Sequence, residues 1–568
     1  MMIRRDEKDE IRSVMIHGGN SKHDDDSSIS VSFESLSTKD CIYRAEGNAN
    51  IVVSLPLEHE VIRFRKSSLP GETLLDNNDD DDDDDKKEEK IRVKREVEFV
   101  EHVVSGYLGS YIHIPKIIRY DGKDVNKLLQ IIHPFRPDKR RYKKKVKKYA
   151  MKMPDYALLP LKFAKLDPDI FRSKSIFAVE IKPKQGYQRK EEQLLQMCPY
   201  CLTQYYKLKM KMIDHRSSYC PFDLFSGDEE RMKEAIKGLL RSPQNNLKIF
   251  KDGTIIYDEE FSMNDLETVL NDCYQCVDDV CTKENTINLF CNLTCAALLH
   301  SFPQSEYSKK IMQSTLERNR FYHISERDSK VNHDTNKEFI TKTRELFYLI
   351  QEKCNRETND LPKYCVLERI LSMQRLPYVG TEYIYDIYDK YSTVINDDII
   401  YSHLINSSWK YIKEKHEVSN GNHSNNWSST SKNGENIELI ETKNQWKNNL
   451  SCNNEKLMDR SNNEKKDIEH SRDRIFNNIN EKDLIALENY LLFSTARDCS
   501  ILITFQQLKP EALSSVPKEY VIKISEDLCF LTNVKVSDVD PKSVSSIPKH
   551  RQRDVNILNA VISALKEK

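Results

Sequence analysis

Phe177-Ala178-Val179-Glu180-Ile181-Lys182-Pro183-Lys184 reads as a β-strand that ends in two cations. Side chains two apart in an extended chain lie on one side, so Lys182 and Lys184 point together, and Pro183 stiffens the turn between them. Such a pair suits a polyphosphate, although a solvated strand end has the same composition. Outward from it, the short β-branched runs at residues 51–55 and 61–65 flank Pro56 and make two antiparallel strands of a small sheet. Alternation in the second puts Arg63 on the face opposite Ile62 and Phe64. Val93, Val97, Val100, Val104 and Leu108 then recur at helical spacing, ended by Gly106 and Gly109. Downstream, Ser226-Gly-Asp-Glu229 is a capping box that opens a helix burying Met232, Ala235, Ile236, Leu239 and Leu240 before Pro243. Helices over 338–354, 481–492 and 555–565 and strands over 500–505 and 534–539 complete an α+β chain with a small N-terminal sheet.

Composition limits what such a chain can do. It has 568 residues, 38% hydrophobic and 31% charged, which is too polar for a membrane protein and too long for one small domain. Lys plus Arg (88) nearly cancels Asp plus Glu (90), so any charge that serves binding must be local. No apolar run reaches the roughly 18 residues of a membrane span. The first residues carry Arg4, Arg5, Asp6, Glu7 and Lys8 where a signal peptide needs an apolar stretch, so a cytoplasmic and/or nuclear protein is expected. Fourteen dilute cysteines fit a reducing compartment. Cys198-x-x-Cys201 with Cys220 could hold half a zinc site, but no partner pair stands at ribbon spacing, and buried free thiols are the expectation.

Three segments are too polar to fold: a tail over 1–35, an acidic loop over 76–90 around Asp79 to Asp85, and an Asn/Ser-rich insertion over about 418–474. The expected organisation is an N-lobe over 36–160 and a C-lobe over 161–568.

Several further groups of residues carry chemistry. Tyr43 to Asn50 (YRAEGNAN) precedes a strand, where a small turn can lay backbone N–H groups over phosphates or merely head a hairpin. Asn245 and Asn246 follow a helix and precede an Asp252-Gly253 hairpin, so their amides can meet phosphate oxygens or cap the helix. Asp498 and Asp538 stand at the ends of two strands, the usual geometry for holding Mg²⁺ on transferring phosphates, and also that of ordinary turn residues. Residues 139–148 hold eight cations in ten and read as nuclear targeting or nucleic-acid contact, or as part of a polyphosphate funnel.

Together these segments resemble the inositol-pentakisphosphate 2-kinases. The resemblance rests on Tyr-Arg-x-Glu-Gly-Asn-x-Asn (43–50), Val-Ile-Arg (61–63), Arg136-Pro-x-x-Arg140 and Val-Glu-Ile-Lys-Pro-Lys-x-Gly (179–186). It continues through Tyr-Cys-Pro-x-Asp-Leu-Phe-Ser-Gly (219–227), Gln-Asn-Asn-Leu-Lys-Ile-Phe (244–250), Thr-Ala-Arg-Asp-Cys-Ser-Ile (495–501) and Val-x-Asp-Val-Asp-Pro-Lys (536–542), all in the family's order. It implies a two-lobed kinase-like fold, a monomer that passes the ATP γ-phosphate to the 2-hydroxyl of inositol pentakisphosphate with Mg²⁺. By resemblance, Arg140, Lys182, Lys184, Lys207, Asn245, Asn246 and Lys542 line the sugar-phosphate cage. Arg44, Glu46, Gly47, Asn48 and Asn50 cover the nucleotide phosphates, with Arg63 in place of a strand lysine and Glu180 on the nucleotide side. Asp538 holds the metal, and Asp498 faces the 2-hydroxyl and shares it, with Lys182 between both roles. The chain departs from the pattern at Pro199 and Thr203, where many members have Arg and His, at Ser546 and His550, at Ala45 and at Gln185. Those departures suggest a rival: a silent inositol-phosphate or RNA-binding scaffold.

Overall fold

The structure is a computed structural model. It describes residues 30–67, 83–143, 145–187, 197–261, 263–273, 283–306, 361–376, 381–420 and 479–566, with isolated helical positions between 308 and 349. The α+β expectation holds: an N-terminal lobe built on one six-stranded sheet stands on a larger, helix-rich lobe built on another. Residues 1–29 of the expected tail over 1–35, 76–82 of the acidic loop over 76–90, most of the 338–354 helix and all but the first three residues of the insertion over about 418–474 lie outside the described residues.

The N-terminal sheet contains β1 (Val31–Phe33), β2 (Ile42–Glu46), β3 (Asn50–Leu55), β4 (Glu60–Lys66), β5 (Lys116–Arg119) and β6 (Val146–Pro154), in the order β1-β5-β6-β4-β3-β2. Two helices cover its faces, α1 (Asp83–Phe99) and α2 (Gly122–Ile132). Ile51, Val53, Ile62 and Phe64 pack with Val125, Leu128 and Leu129 of α2. Period-2 alternation sends Arg63 and Arg65 to the opposite face, that of α1, where Arg65 Nη1 lies 3.3 Å from Glu96 Oε1.

The second lobe contains α3 (Pro199–Lys209), α4 (Glu229–Arg241), α5 (Lys283–Leu299), α6 (Val366–Gln374), α7 (Asp397–Asn420), α8 (Glu481–Asp498) and α9 (Ile547–Lys566). Its sheet runs β11-β12-β10-β7-β8-β9, from β7 (Phe177–Ile181), β8 (Leu247–Lys251), β9 (Thr254–Tyr257), β10 (Ser500–Leu508), β11 (Val521–Lys523) and β12 (Cys529–Ser537). One face supplies Val179, Ile181, Ile501, Ile503, Val534 and Val536 to the main core, with α4, α6 and α8 beneath. The other face looks toward the N-terminal lobe: Thr504 Oγ1 donates to the Tyr156 carbonyl and Ala178 packs on Ala157. The Asp252-Gly253 turn closes β8 and β9 with φ of 49° and 79°, the paired positive values of a type I′ hairpin.

Several boundaries differ from the sequence reading. Val31–Phe33 lies in the expected tail yet pairs in parallel with β5. Asp83 to Asp85 open α1 instead of belonging to a loop, a placement the helix dipole favours for acids. The stripe beyond α1 passes through a π-helical turn, Val100–Val104, and Gly106 sits inside the next helical turn, so the run ends at Gly109 with φ of 56°. Asp228, not Ser226, caps α4, accepting from Arg231 N at 3.0 Å; Ser226 Oγ donates to the Asp223 carbonyl at 2.7 Å instead. α8 runs to Asp498, so this acid ends a helix rather than a strand. Among the described residues no helix is long and apolar enough to cross a membrane.

Candidate active site

Antiparallel pairing gathers three strand ends. Ile181 registers with Ile501, and Ser500 with Ser537. Lys182 and Asp538 therefore leave the sheet at the edge where the chain arrives from Asp498. Lys182 N donates to the Asn246 carbonyl at 2.9 Å and extends the β7–β8 ladder by one residue. Beyond it two non-glycine residues take left-handed φ, 61° at Lys184 and 57° at Asp538. Such backbone costs roughly 1–3 kcal/mol and collects at functional sites, where the surroundings hold it.

The side chains at this edge form a line of ion pairs. Lys182 Nζ is 2.9 Å from Asp538 Oδ2, and Lys542 Nζ is 3.2 Å from Asp498 Oδ2. Lys184 Nζ stands 4.0 Å from Asp498 Oδ1. Ser500 Oγ lies 2.9 Å from Glu180 Oε1 and 3.2 Å from Asp538 Oδ2, and its one proton serves one acceptor at a time. The site is open: the Asp498 and Asp538 side chains are 48% and 52% exposed.

Burial works to raise the Asp498 pKa, but Lys542, Arg497 and Lys184 outweigh it and hold the carboxyl below its ordinary range. Burial is likewise overcome at Asp538, by Lys182, Arg63 and the Ser500 hydroxyl. Lys182 resists its own burial because Asp538, Glu180 and Asp498 raise its pKa. Lys184 does not: burial, then Lys182, Lys207 and Arg497, lower it against Asp498. Burial also lowers Lys207. Around Lys184 the cations outnumber the carboxylates, so the edge favours a polyanion. Asp498, Asp538 and Glu180 are hard oxygen donors, the type Mg²⁺ takes together with ligand phosphates.

Arg63 reaches this edge from β4. Its Nη1 donates to Asp540 Oδ1 at 2.6 Å and its Nη2 pairs with Oδ2; with the Asn50 amide turned so that its oxygen faces the guanidinium, that oxygen accepts from Nε at 3.0 Å. Asp540 thus joins the two lobes.

Two residues expected over nucleotide phosphates are engaged elsewhere. Arg44 is the extra residue of a β-bulge between Tyr43 and Ala45, which re-aims its side chain. Its guanidinium pairs with Asp155, donates to Ser54 Oγ at 3.1 Å and lies over the Phe250 ring. Glu46 is buried, accepting from Arg136 Nε and Nη2 at 2.9 and 3.0 Å and pairing with Lys66. It supports the loop from behind. Gly47 and Asn48 form the loop's exposed tip, where Gly47 N donates to the Asn50 carbonyl at 2.9 Å and Lys143 Nζ to the Asn48 carbonyl at 3.0 Å. With Lys66, Lys139, Arg140, Tyr142 and Lys143 they line a pocket of about 140 Å³. Arg140 Nη1 is buried there with no hydrogen-bond partner.

The two expected amides separate. Asn245 is exposed, whereas Asn246 is buried, its Nδ2 donating to Tyr200 OH at 2.8 Å while its Oδ1 lacks a partner. That orientation gives Asn246 a role inside the lobe rather than on an open surface. Near α9, His550 Nδ1 is 3.0 Å from Tyr490 OH, and burial, followed by Arg497, Arg553 and Lys542, pushes the imidazole down to about 3. Cys198, Cys201 and Cys220 bring their sulfurs within 4.8 Å of one another, the one group of three or more potential metal ligands among the described residues. This is the trio the sequence offers as half a zinc site, and its thiols are free, Cys198 and Cys220 buried and Cys201 half-buried.

The sequence reading also missed Asp155, Asp540, Ser500 and the apolar cluster of Ala157, Ala178 and Phe250 between the lobes. Asp540 had a signal, a second acid two residues after Asp538; the apolar cluster had none.

Comparison with known proteins is consistent with this geometry. A family profile described as inositol-pentakisphosphate 2-kinase matches residues 43–556. The chain is similar to the inositol-pentakisphosphate 2-kinase of Danio rerio, 24% identical over 545 residues that cover 93% of this chain and 94% of that protein. The Drosophila melanogaster enzyme of the same name is 24% identical over 300 residues, 38% of this chain and 48% of its own. One from Oryza sativa subsp. indica is 39% identical over 93 residues, 15% of this chain and 21% of its own.

Proposed function

We propose, on the premise that this chain belongs to the inositol-pentakisphosphate 2-kinase family, that it transfers the ATP γ-phosphate to the 2-hydroxyl of inositol 1,3,4,5,6-pentakisphosphate at the charged edge of the C-terminal sheet. One observation carries the reading: Lys182, Lys184 and Lys542 meet the ionised Asp498 and Asp538 there, from separate segments of chain.

The adenine sits between the lobes on Ala157, Ala178 and Phe250, an apolar surface one strand row from Glu180. Gly47 and Asn48 close over the phosphates, and Arg63, held by Asp540 and Asn50, faces them from β4. Mg²⁺, with Asp538 as its main ligand and Asp498 and Glu180 near it, supplies positive charge on the transferring phosphates when bound. Five phosphate monoesters carry about −7.5 to −10 in total, so the inositol needs a cage of cations. Lys184, Lys207 and Lys542 form its near wall, with Asn245 beside them. Arg140, whose Nη1 is buried without a partner, forms its roof when the lobes close. Lys182 bridges donor and acceptor.

Asp498 orients the 2-hydroxyl by accepting its hydrogen bond. Its carboxyl is held too acidic to be a strong base, since a base works best with a pKa near the working pH. That suits a loose transition state, in which the hydroxyl proton leaves late. A silent scaffold has no use for two ionised carboxylates beside three lysines, so transfer is the preferred reading. Incubation with Mg-ATP and inositol pentakisphosphate should yield the hexakisphosphate; no product at high enzyme concentration overturns the assignment.

A further inference from the structure

Gln374, the last residue of α6, is wholly buried. Its Oε1 accepts from Gly186 N at 2.8 Å, and its Nε2 donates to the Lys184 carbonyl at 2.9 Å and the Ala496 carbonyl at 3.3 Å. Both amide protons and the amide oxygen are thereby used on backbone groups of two segments. One segment is the turn after β7, where Lys184 takes its left-handed φ of 61°. The other is the last turn of α8, two residues before Asp498.

Other bonds hold one segment at a time: Tyr219 OH donates to the Pro183 carbonyl at 2.7 Å, and the β7–β10 pairing stops at Ile181 and Ile501, whereas Gln374 bonds the turn and the α8 end together. The Lys184–Asp498 ion pair is long, at 4.0 Å, and its long side chain tolerates a range of separations. Gly186 is pressed on Phe225 so closely that a Cβ there would lie 2.1 Å from the ring, which blocks the turn from moving inward but not outward. Gln374 adds an outward restraint at Lys184 and Gly186 and ties it to the α8 end.

We infer that Gln374 is a positioning residue for phosphoryl transfer, fixing the backbone that carries Lys184 against the helix end that carries Asp498. The inference rests on the proposed kinase reading. It acts through those two side chains and has no contact of its own with nucleotide or sugar.

Two full-length variants test it. Gln374→Leu removes all three hydrogen bonds; Gln374→Glu keeps an acceptor for Gly186 N–H but loses both donors. Hydrogen exchange of the Gly186 amide should accelerate in the Leu variant and stay near wild type in the Glu variant. Both should lose kcat by about 10²-fold, as expected for a displacement near 1 Å at the reacting groups, with the KM for ATP unchanged. Wild-type kcat in either folded variant overturns the inference, and so does a Gly186 amide that exchanges alike in the Leu variant and the wild type. If the Leu variant does not fold, the Glu variant decides through kcat. A wild-type protein that makes no hexakisphosphate brings down the kinase reading, while the exchange experiment still decides whether Gln374 holds the two segments.

Discussion

Two ionic clusters, one in each lobe, use the same residue types to opposite ends. In the N-terminal lobe, Glu46 lies between Lys66 and Arg136, with side-chain exposures of 0%, 1% and 1%. Arg136 Nη2 also donates to the carbonyls of Arg140 and Lys143, at 3.0 and 2.9 Å, and Lys66 Nζ to that of Gly47 at 2.7 Å. Burial works to raise the Glu46 pKa, and Arg136 and Lys66 more than offset it. At the edge of the C-terminal sheet, Asp498 and Lys542 are 48% and 28% exposed, and cations exceed carboxylates around Lys184. The first cluster satisfies itself and shapes a loop. The second is left open and unbalanced, with charge to spare for the polyanion of the proposed reaction. Buried pairs that are fully hydrogen-bonded are costly to break, whereas exposed ones contribute little to stability. A motif acid is therefore assigned to structure or chemistry by what surrounds it, not by its type.

The largest effect should come from the open cluster. Asp498→Asn should lower kcat about 10²-fold, the order for a misoriented reacting group, with little change in melting temperature. Single-turnover kinetics and thermal melts check this; a large loss of stability would erase the distinction between the clusters. Glu46→Gln is the reverse case. Breaking one member of a buried pair typically costs about 3–5 kcal/mol, so urea melts should show a severe loss of stability while the folded fraction keeps its turnover.

A smaller effect is expected for Lys542→Ala. It should raise the KM for inositol pentakisphosphate about tenfold, the order of one charged hydrogen bond, and leave the ATP KM unchanged. Because Lys542 contributes most to holding Asp498 acidic, the low-pH limb of kcat should also move to higher pH. Unchanged KM and pH profile would remove Lys542 from the cage.

The smallest effect concerns His550. Its folded pKa is pushed down to about 3, below the unfolded value of about 6.5. Between these limits the unfolded chain binds a proton that the folded chain refuses, so stability falls as pH falls; above about 6.5 both states are neutral and the penalty is absent. His550→Gln should therefore match the wild-type melting trend above pH 7 and gain on it near pH 5. Parallel curves throughout would show that the ring is not excluded from protonation.

The strands were legible wherever period-2 alternation met β-branched residues, as at Ile62 and Phe64 or Val179 and Ile181, and α4 was legible from its apolar spacing. The sequence puts its cap two residues early, because Ser226 and Asp228 both fit an N-cap and only the turn geometry chooses between them. The acids of α1 were read as loop because a run of like charge opposes structure locally; what holds that helix is its other end, where Val93 and Val97 pack on Ile117 and Met151.

By itself, the sequence determined the α+β class, the order of the motifs and the chemical types at the site: lysines after a strand, acids flanking two others, a small loop before a hairpin. Those follow from local periodicity and residue chemistry, which act within a few positions of the chain. Only the tertiary structure decided which charges are used up and which remain for a ligand. Glu46 and Asp498 are both motif acids between cations. One lies under a bulged strand with Arg136 brought from 90 residues away, and the other stands at an open sheet edge. Burial and long-range pairing have no local signature. The same is true of Gln374, an isolated glutamine at a helix end whose three partners are set by the packing of α6 against β7 and α8.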